Sequence, residues 1–349
     1  MKLTRGNSVE LGLRPTIERM PRVDLHRHLE GSLRVETLAE LVKTEGLDLP
    51  PGPEALRAFV QVGSLDPKDP YGFLEIFRLL RQVYRSPEII RRVTREAIAD
   101  AAADNVRYLE LRFTPAALAE ARQFPLAEVV GWVLEAAEQE AEARGIRVGM
   151  VMGINRREPI SLAEQVAELA IQRRGRVVGL DLAGNEIEFP ADPFSAIFAA
   201  ARQAGLGITV HAGEWTGAES VRRAIEVMGA ERIGHGVHVL EDPAVAALAR
   251  ERRTVFEVCL SSNLHTGVVA RLEDHPLPRM LDAGLQVTLN TDDPGISNIR
   301  LSGEHLLAVE GLGCSLETLK GLTLAAVQAA FLPRKDKARL EAQLQAELF

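Results

Sequence analysis

Eight short apolar runs, distributed along the whole chain and separated by amphipathic helical patterns, constrain the fold more than any other feature. They fall at 23–28 (VDLHRH), 107–113 (RYLELRF), 147–154 (RVGMVMGI), 177–183 (VVGLDLA), 207–212 (GITVHA), 232–235 (RIGH), 254–260 (TVFEVCL) and 285–291 (LQVTLNT). Most are continuous rather than alternating, the signature of strands buried on both faces of a parallel sheet. PLAEVVGWVLEAAEQEAEARG, SLAEQVAELAIQRRG and DPFSAIFAAARQAG read as crossover helices. Ser161 and Asp192 are expected to cap the N-termini of the last two, and Gly145, Gly175 and Gly205 to end the three. Eight strand–helix units predict an α/β fold, a single (β/α)8 TIM barrel over 1–349, whose site gathers at the C-terminal strand ends.

The stretch from 33 to 106 is too long for one crossover. Helical patterns at 33–46, 54–62, 70–84 and 87–104 predict a helical insertion beside the barrel mouth, placed to act as a lid. Residues 303–348 continue helically and are expected on the outside of the barrel. Phe73, Phe77 and Leu80 share one face of the insertion's third helix, either as core or as an apolar gate over the cavity.

Residues with metal-binding and acid–base chemistry stand at the ends of these runs. They are His26 and His28 in the first, His211 and then Glu214 after the fifth, His235 after the sixth, and Asp292 and Asp293 after the eighth. His26 and His28 are two apart on a strand, so both point to one face and can clamp one divalent ion. His211 supplies a third nitrogen and Asp292 a carboxylate oxygen; three nitrogens, one oxygen and an open position suit catalytic zinc. TDDPG is also a turn sequence, but two adjacent buried carboxylates repel without a cation. His238, His265, His275 and His305 lie in helix or loop contexts and receive no role.

A net charge of −8, with basic residues interleaved among acidic ones, disfavours a phosphate-backbone-binding surface, so no nucleic-acid partner is expected. No run approaches the roughly 20 apolar residues that span a bilayer. The first residues, MKLTRGNSVELGLRPTIERMP, lack an apolar leader and cleavage site, so a cytoplasmic location is expected. Cys259 and Cys314 are too few for a disulfide framework or a thiolate zinc site and read as buried small residues.

In order, HRHLEGSL, YLELRFTP, GLDLAGNE, HAGE, RIGHG, CLSSN, LEDHPL and LNTDDPGIS resemble the adenosine deaminase family of metal-dependent purine deaminases, in the amidohydrolase superfamily. The resemblance implies one Zn²⁺ per chain on His26, His28, His211 and Asp292, lowering the pKa of a bound water so that hydroxide attacks C6 of an aminopurine. It also implies that Glu214 protonates purine N1, that His235 orients the water, and that Asp292 assists as proton acceptor. Asp293 then meets N7, the Gly184 amide N3, and Glu30 the ribose, with His28 also bordering the substrate. Asp181 is either a partner behind the metal ligands or a strand hydrogen-bonding group.

The departures from the family pattern bear on the substrate. Animal-type enzymes have Asp where this chain has Glu30, and HLEG resembles the adenine-deaminase branch. RIGHG and NTDDPGIS resemble the nucleoside enzymes instead, where the adenine branch tends to RIDHG and NSDDP. LAGNE replaces the more usual LAGDE. Arg27 points away from the barrel interior by strand alternation, into a structural ion pair; at the mouth it would instead recognise an acid. The expected reaction is deamination of adenosine or deoxyadenosine, with adenine or a 5′-modified adenosine such as aminodeoxyfutalosine as alternatives. Metal hydrolysis of an ester, amide or phosphotriester is the alternative from another class. Relatives of that kind often use a bridging lysine on the fourth strand, and VVGLDLAGN offers none. A binding module without catalysis would have lost Glu214, His235 or Asp292.

Overall fold

The computed structural model describes residues 7–63 and 69–349; residues 1–6 of the N-terminal stretch and 64–68 of the insertion lie outside them. Eight parallel strands follow one another in sequence order around a barrel: β1 (Arg22–His28), β2 (Val106–Phe113), β3 (Arg147–Asn155), β4 (Val177–Ala183), β5 (Gly207–Ala212), β6 (Arg232–His235), β7 (Val255–Val258) and β8 (Gln286–Leu289). Helices alternate with them, so this is the expected (β/α)8 barrel. β7 is shorter than the apolar run that marks it, because Cys259 and Leu260 already turn into the helix Leu260–His265.

The seam between β8 and β1 closes differently from the rest of the sheet. Among the described residues only one bridge, Arg27 to Asp292, joins the two edges. There the Asp292 amide donates to His26 O at 2.7 Å and the His28 amide donates to Asp292 O at 2.8 Å. Below it, side chains substitute for the ladder: Asn290 Oδ1 accepts from the Leu25 amide at 2.9 Å, and the Thr291 hydroxyl donates to Asp24 at 2.7 Å. The barrel is thus pinned shut where its candidate ligands stand. At the opposite end, Phe331 lies under Gly179 and Gly207, with the Arg232 guanidinium 3.6 Å from its ring centre.

Ahead of the barrel lies α1 (Asn7–Arg19), and the insertion between β1 and β2 consists of α2 (Val35–Glu45), α3 (Pro53–Val60), α4 (Pro70–Leu80) and α5 (Pro87–Ala103). Asp69 caps α4 through the Tyr71 and Gly72 amides, and Ser86 caps α5 through the Ile89 amide. After β8 come Leu301–Leu312, Leu316–Ala329 and Arg334–Leu348. The second of these packs on β8 and β1, covering the seam from outside.

Two expected caps are corrected. Pro159, not Ser161, precedes the helix Ile160–Gln172, and proline's preset φ starts that turn without a side-chain bond. Asp192 opens a 3-10 turn ahead of Ser195–Gln203 and pairs with Arg223 instead of capping. Gly145 is the left-handed C-cap of Leu126–Arg144, whereas Gly175 and Gly205 lie one or two residues beyond the cap position, both at positive φ. Cys259 and Cys314 are both free and buried. No helix of the described residues is long and apolar enough to cross a membrane.

Candidate active site

The strand ends bring the expected polar residues around one cavity of about 660 Å³, lined among others by His28, Glu30, Gly184, His211, Glu214, His235, Asp292 and Asp293. His26 sits beneath it, fully buried. His26 Nε2 lies 3.2 Å from Asp292 Oδ1, and His28 Nε2 lies 3.3 Å from the same oxygen and 3.4 Å from His211 Nε2. His235 Nε2 is 3.6 Å from both Asp292 Oδ2 and Glu214 Oε2. Asp292 and His235 both hold left-handed backbone (φ 64° and 62°), a conformation that side-chain-bearing residues adopt at some cost and that recurs at functional sites.

Behind the cluster, carboxylates fix the imidazoles. His26 Nδ1 donates to Glu257 at 2.8 Å and His211 Nδ1 to Asp181 at 3.1 Å. With their protons on Nδ1, both rings aim an Nε2 lone pair into the cavity. His26 Nε2 is consequently buried without a hydrogen-bond partner, facing a carboxylate oxygen. Lone pairs and a carboxylate at these separations repel one another unless a cation lies between them, so the donor set fits a divalent metal; three imidazole nitrogens and one oxygen match zinc. Burial holds the His28 imidazole well below its usual range, so it stays neutral and available as a ligand. Burial works against charge on Asp292, yet positive charge beside it, which His26 carries when protonated, holds the carboxyl well below its usual value, and a cation in the same place would do the same.

One group of nearby ligand atoms is His26, His211, His235 and Asp292, and a second is His28, Asp181 and His211. His235 is therefore as close to the cluster as His28, and it differs in having its Nδ1 3.1 Å from the Asn263 amide nitrogen.

Glu214 faces a different environment. Burial, reinforced by Asp292 and Glu186, pushes its carboxyl well above the ordinary range and so favours the protonated form. Asp293 is pushed the same way by burial and by Asp292, and its Oδ1 is buried without a partner. A side chain on Gly31 would collide with Asp293. Gly184 holds φ +102°, and a Cβ there would come within 2.8 Å of Asn155 Oδ1, so only glycine lets the backbone face the cavity here. Glu30 is tied down by the Thr114 amide at 2.7 Å through Oε1, while Oε2 is buried and unpaired.

Several residues of the site carried no recognised signal. The Glu186 carboxylate accepts from the amides of Gly213, Glu214, Trp215 and Thr216 at 2.7, 3.1, 2.9 and 3.3 Å, so it holds the whole loop that presents Glu214. It is the acid of LAGNE, where the neighbouring asparagine drew the comparison. Arg112 bridges Asp181 at 3.1 Å and Glu257 at 2.8 Å, the two carboxylates behind the histidines. Arg27 turns away from the cavity and pairs with Asp24 at 3.1 Å, the structural alternative. Phe73 and Phe77 both line the cavity, whereas Leu80 is buried in the core.

A family model described as adenosine deaminase matches residues 21–347, nearly the whole chain. The chain belongs to the adenosine deaminase family. The family is one of metal-dependent enzymes that deaminate adenine-type substrates by hydrolysis. An adenosine deaminase of Shigella flexneri is 37% identical over 329 residues, covering 94% of this chain and 98% of that protein. Among solved structures, an adenine deaminase of Arthrobacter aurescens is 28% identical with TM-score 0.87, over 94% of this chain and 98% of that one. An N6-mAMP deaminase of Arabidopsis is 27% identical with TM-score 0.85, over 95% and 99%. An amidohydrolase of Burkholderia ambifaria, described with bound Zn, is 25% identical with TM-score 0.88, over 100% of this chain and 94% of that one.

Proposed function

We propose that this deaminase acts on a 6-aminopurine nucleoside, converting adenosine and deoxyadenosine to inosine and deoxyinosine with release of ammonia, and that it holds one zinc ion per chain on His26, His28, His211 and Asp292. The bound ion supplies Lewis acidity that makes water nucleophilic near neutral pH. Glu214 delivers its proton to purine N1, breaking the ring's aromaticity so that C6 accepts attack. His235 would stabilise the charge that develops on the attacking oxygen, and Asp292 would take up the proton the water gives up and pass it to the amino group, which leaves as ammonia. Asp293 donates to N7, and the Gly184 amide meets N3.

Although HLEG resembles the adenine-deaminase branch, the observation that carries the nucleoside reading is the surroundings of Glu30. Its Oε2 is a buried acceptor with no partner in a cavity far larger than a bare purine, and a ribose hydroxyl is the group that would satisfy it. A 5′-extended, anionic substrate is the second reading, favoured by Arg78, Arg81 and Arg157 along the same cavity. The test is the ultraviolet change on incubating zinc-replete and chelated protein with adenosine, deoxyadenosine, adenine and adenosine 5′-monophosphate. Chelator-sensitive conversion of the two nucleosides is expected. Conversion of adenine alone would overturn the role given to Glu30, preference for the monophosphate would favour the second reading, and silence on all four would contradict the proposal.

A further inference from the structure

Which nitrogen of His235 carries its proton decides whether that side chain donates to the reacting centre or competes with His28 as a ligand. A chain of buried hydrogen bonds answers this. The Leu277 backbone amide, necessarily a donor, reaches His275 Nδ1 at 3.1 Å, so that nitrogen must accept. Burial and the nearby Arg279 hold the His275 imidazole down at about 4, so near neutral pH the ring has a single proton, which then resides on Nε2. His275 Nε2 is 3.3 Å from Asn263 Oδ1, and Asn263 Nδ2 is 3.1 Å from His235 Nδ1. The opposite orientation of the amide would require His275 to accept at both nitrogens, which a neutral imidazole cannot do. Asn263 therefore donates to His235 Nδ1, and the proton of neutral His235 is on Nε2, facing Asp292 and Glu214. All three side chains are 2% exposed or less, so no solvent competes for these bonds.

We propose that His275 and Asn263 are positioning residues that lock His235 in its Nε2–H tautomer, making it a hydrogen-bond donor at the reacting oxygen and barring it from the metal. This rests on the proposed placement of His235 opposite C6, but the position of the proton does not. The device also sets His235 apart from two of the histidines it stands beside. His26 and His211 have acceptors behind Nδ1 and present lone pairs, whereas His235 has a donor behind Nδ1 and presents a proton.

The experiment has two arms. Histidine-¹⁵N spectra of the full chain, metal-free and zinc-loaded, read each ring nitrogen as proton-bearing or lone-pair. Lone-pair Nδ1 and proton-bearing Nε2 are expected for both His235 and His275; a protonated His235 Nδ1 would overturn the relay. In the second arm, Asn263→Asp puts a carboxylate behind Nδ1 and inverts the tautomer. The expected loss is on the order of 10²–10⁴ in kcat, by the precedent of a tautomer error at a catalytic histidine, with KM little changed. His275→Leu frees the amide to rotate and costs about 10- to 100-fold. His275→Gln can still accept from Leu277 and donate to Asn263, so it recovers most of that loss. Zinc content and melting temperature are measured for each variant. If His275→Leu and His275→Gln lose activity equally, in step with melting temperature, His275 is merely structural and the proposal fails. If the spectra show the expected tautomers but Asn263→Asp keeps wild-type kcat, the role given to His235 fails instead.

Discussion

The floor and the mouth of this barrel are both dense with buried charge, but they treat it in opposite ways. On the floor, Arg112 and Arg232 lie among Glu110, Asp181 and Glu257 at 2.5–3.1 Å, each group opposed by a partner. Burial there works against charge, yet Arg112 and Arg232 still hold the Glu257 carboxyl well below its usual range. A few ångströms above, His26 Nε2, Glu30 Oε2 and Asp293 Oδ1 are buried with no partner, and burial pushes the carboxyls of Glu30, Glu214 and Asp293 up. Capacity left unfilled in the mouth costs stability and is what a metal and a substrate fill. On the floor each charge faces an opposite one, although Arg112 Nε is itself buried without a hydrogen-bond partner.

Asp292→Ala breaks the comparison most severely, because it removes the oxygen on which His26 and His28 converge. Metal analysis and turnover should both fall to background, and retention of stoichiometric zinc would take Asp292 out of the ligand set. Glu214→Gln sharpens it by removing only the proton. Zinc and melting temperature should persist while kcat drops by roughly 10²–10⁴, and near-normal turnover would contradict the assignment.

A floor substitution should reverse that pattern. Arg112→Met leaves Glu257 and Asp181 buried without that counter-charge, an expected loss of about 3–5 kcal/mol read from the denaturant midpoint. Since the same two carboxylates orient His26 and His211, zinc affinity should also weaken, by about 10- to 100-fold. Unchanged stability would show that the floor network is not structural.

The smallest effect is a difference of sign with pH in metal-free protein. Glu30 has its folded pKa raised by burial, so its contribution is present below the unfolded value near 4.5 and is lost as pH rises through the folded one. Glu257 has its folded pKa lowered, so its contribution is present above the unfolded value and is lost as pH falls through the folded one. Glu30→Gln should therefore raise the melting temperature at pH 8, with the gain vanishing near pH 4. Glu257→Gln should lower it at pH 8, with a cost that shrinks as the medium is acidified. Parallel curves for the two variants would contradict the contrast.

The mouth was far more legible in the sequence than the floor. His26, His28, His211, His235 and Asp292 stand at the ends of apolar runs, and strand order alone carries such residues to one end of a parallel barrel. Arg112 shares LELRF with Glu110, Glu257 is the one charge in VFEV, and nothing in a spacing of 145 positions says that Arg112 and Glu257 meet. The β8–β1 seam was hidden for a related reason: Asn290 and Asp24 replace ladder bonds with side-chain bonds that no periodicity records. His275 read as an ordinary loop histidine because its importance passes through Asn263 and the Leu277 amide. Ser161 and Asp192 failed as caps because a proline and a 3-10 turn begin those helices.

Anomalous diffraction at the zinc edge, from crystals of zinc-loaded protein, tests the account most directly. It predicts one peak per chain within about 2.0–2.2 Å of His26 Nε2, His28 Nε2, His211 Nε2 and an Asp292 oxygen, with His235 outside the coordination sphere. A peak that takes His235 in place of His28, a second ion beside the first, or no peak at the barrel mouth would contradict it.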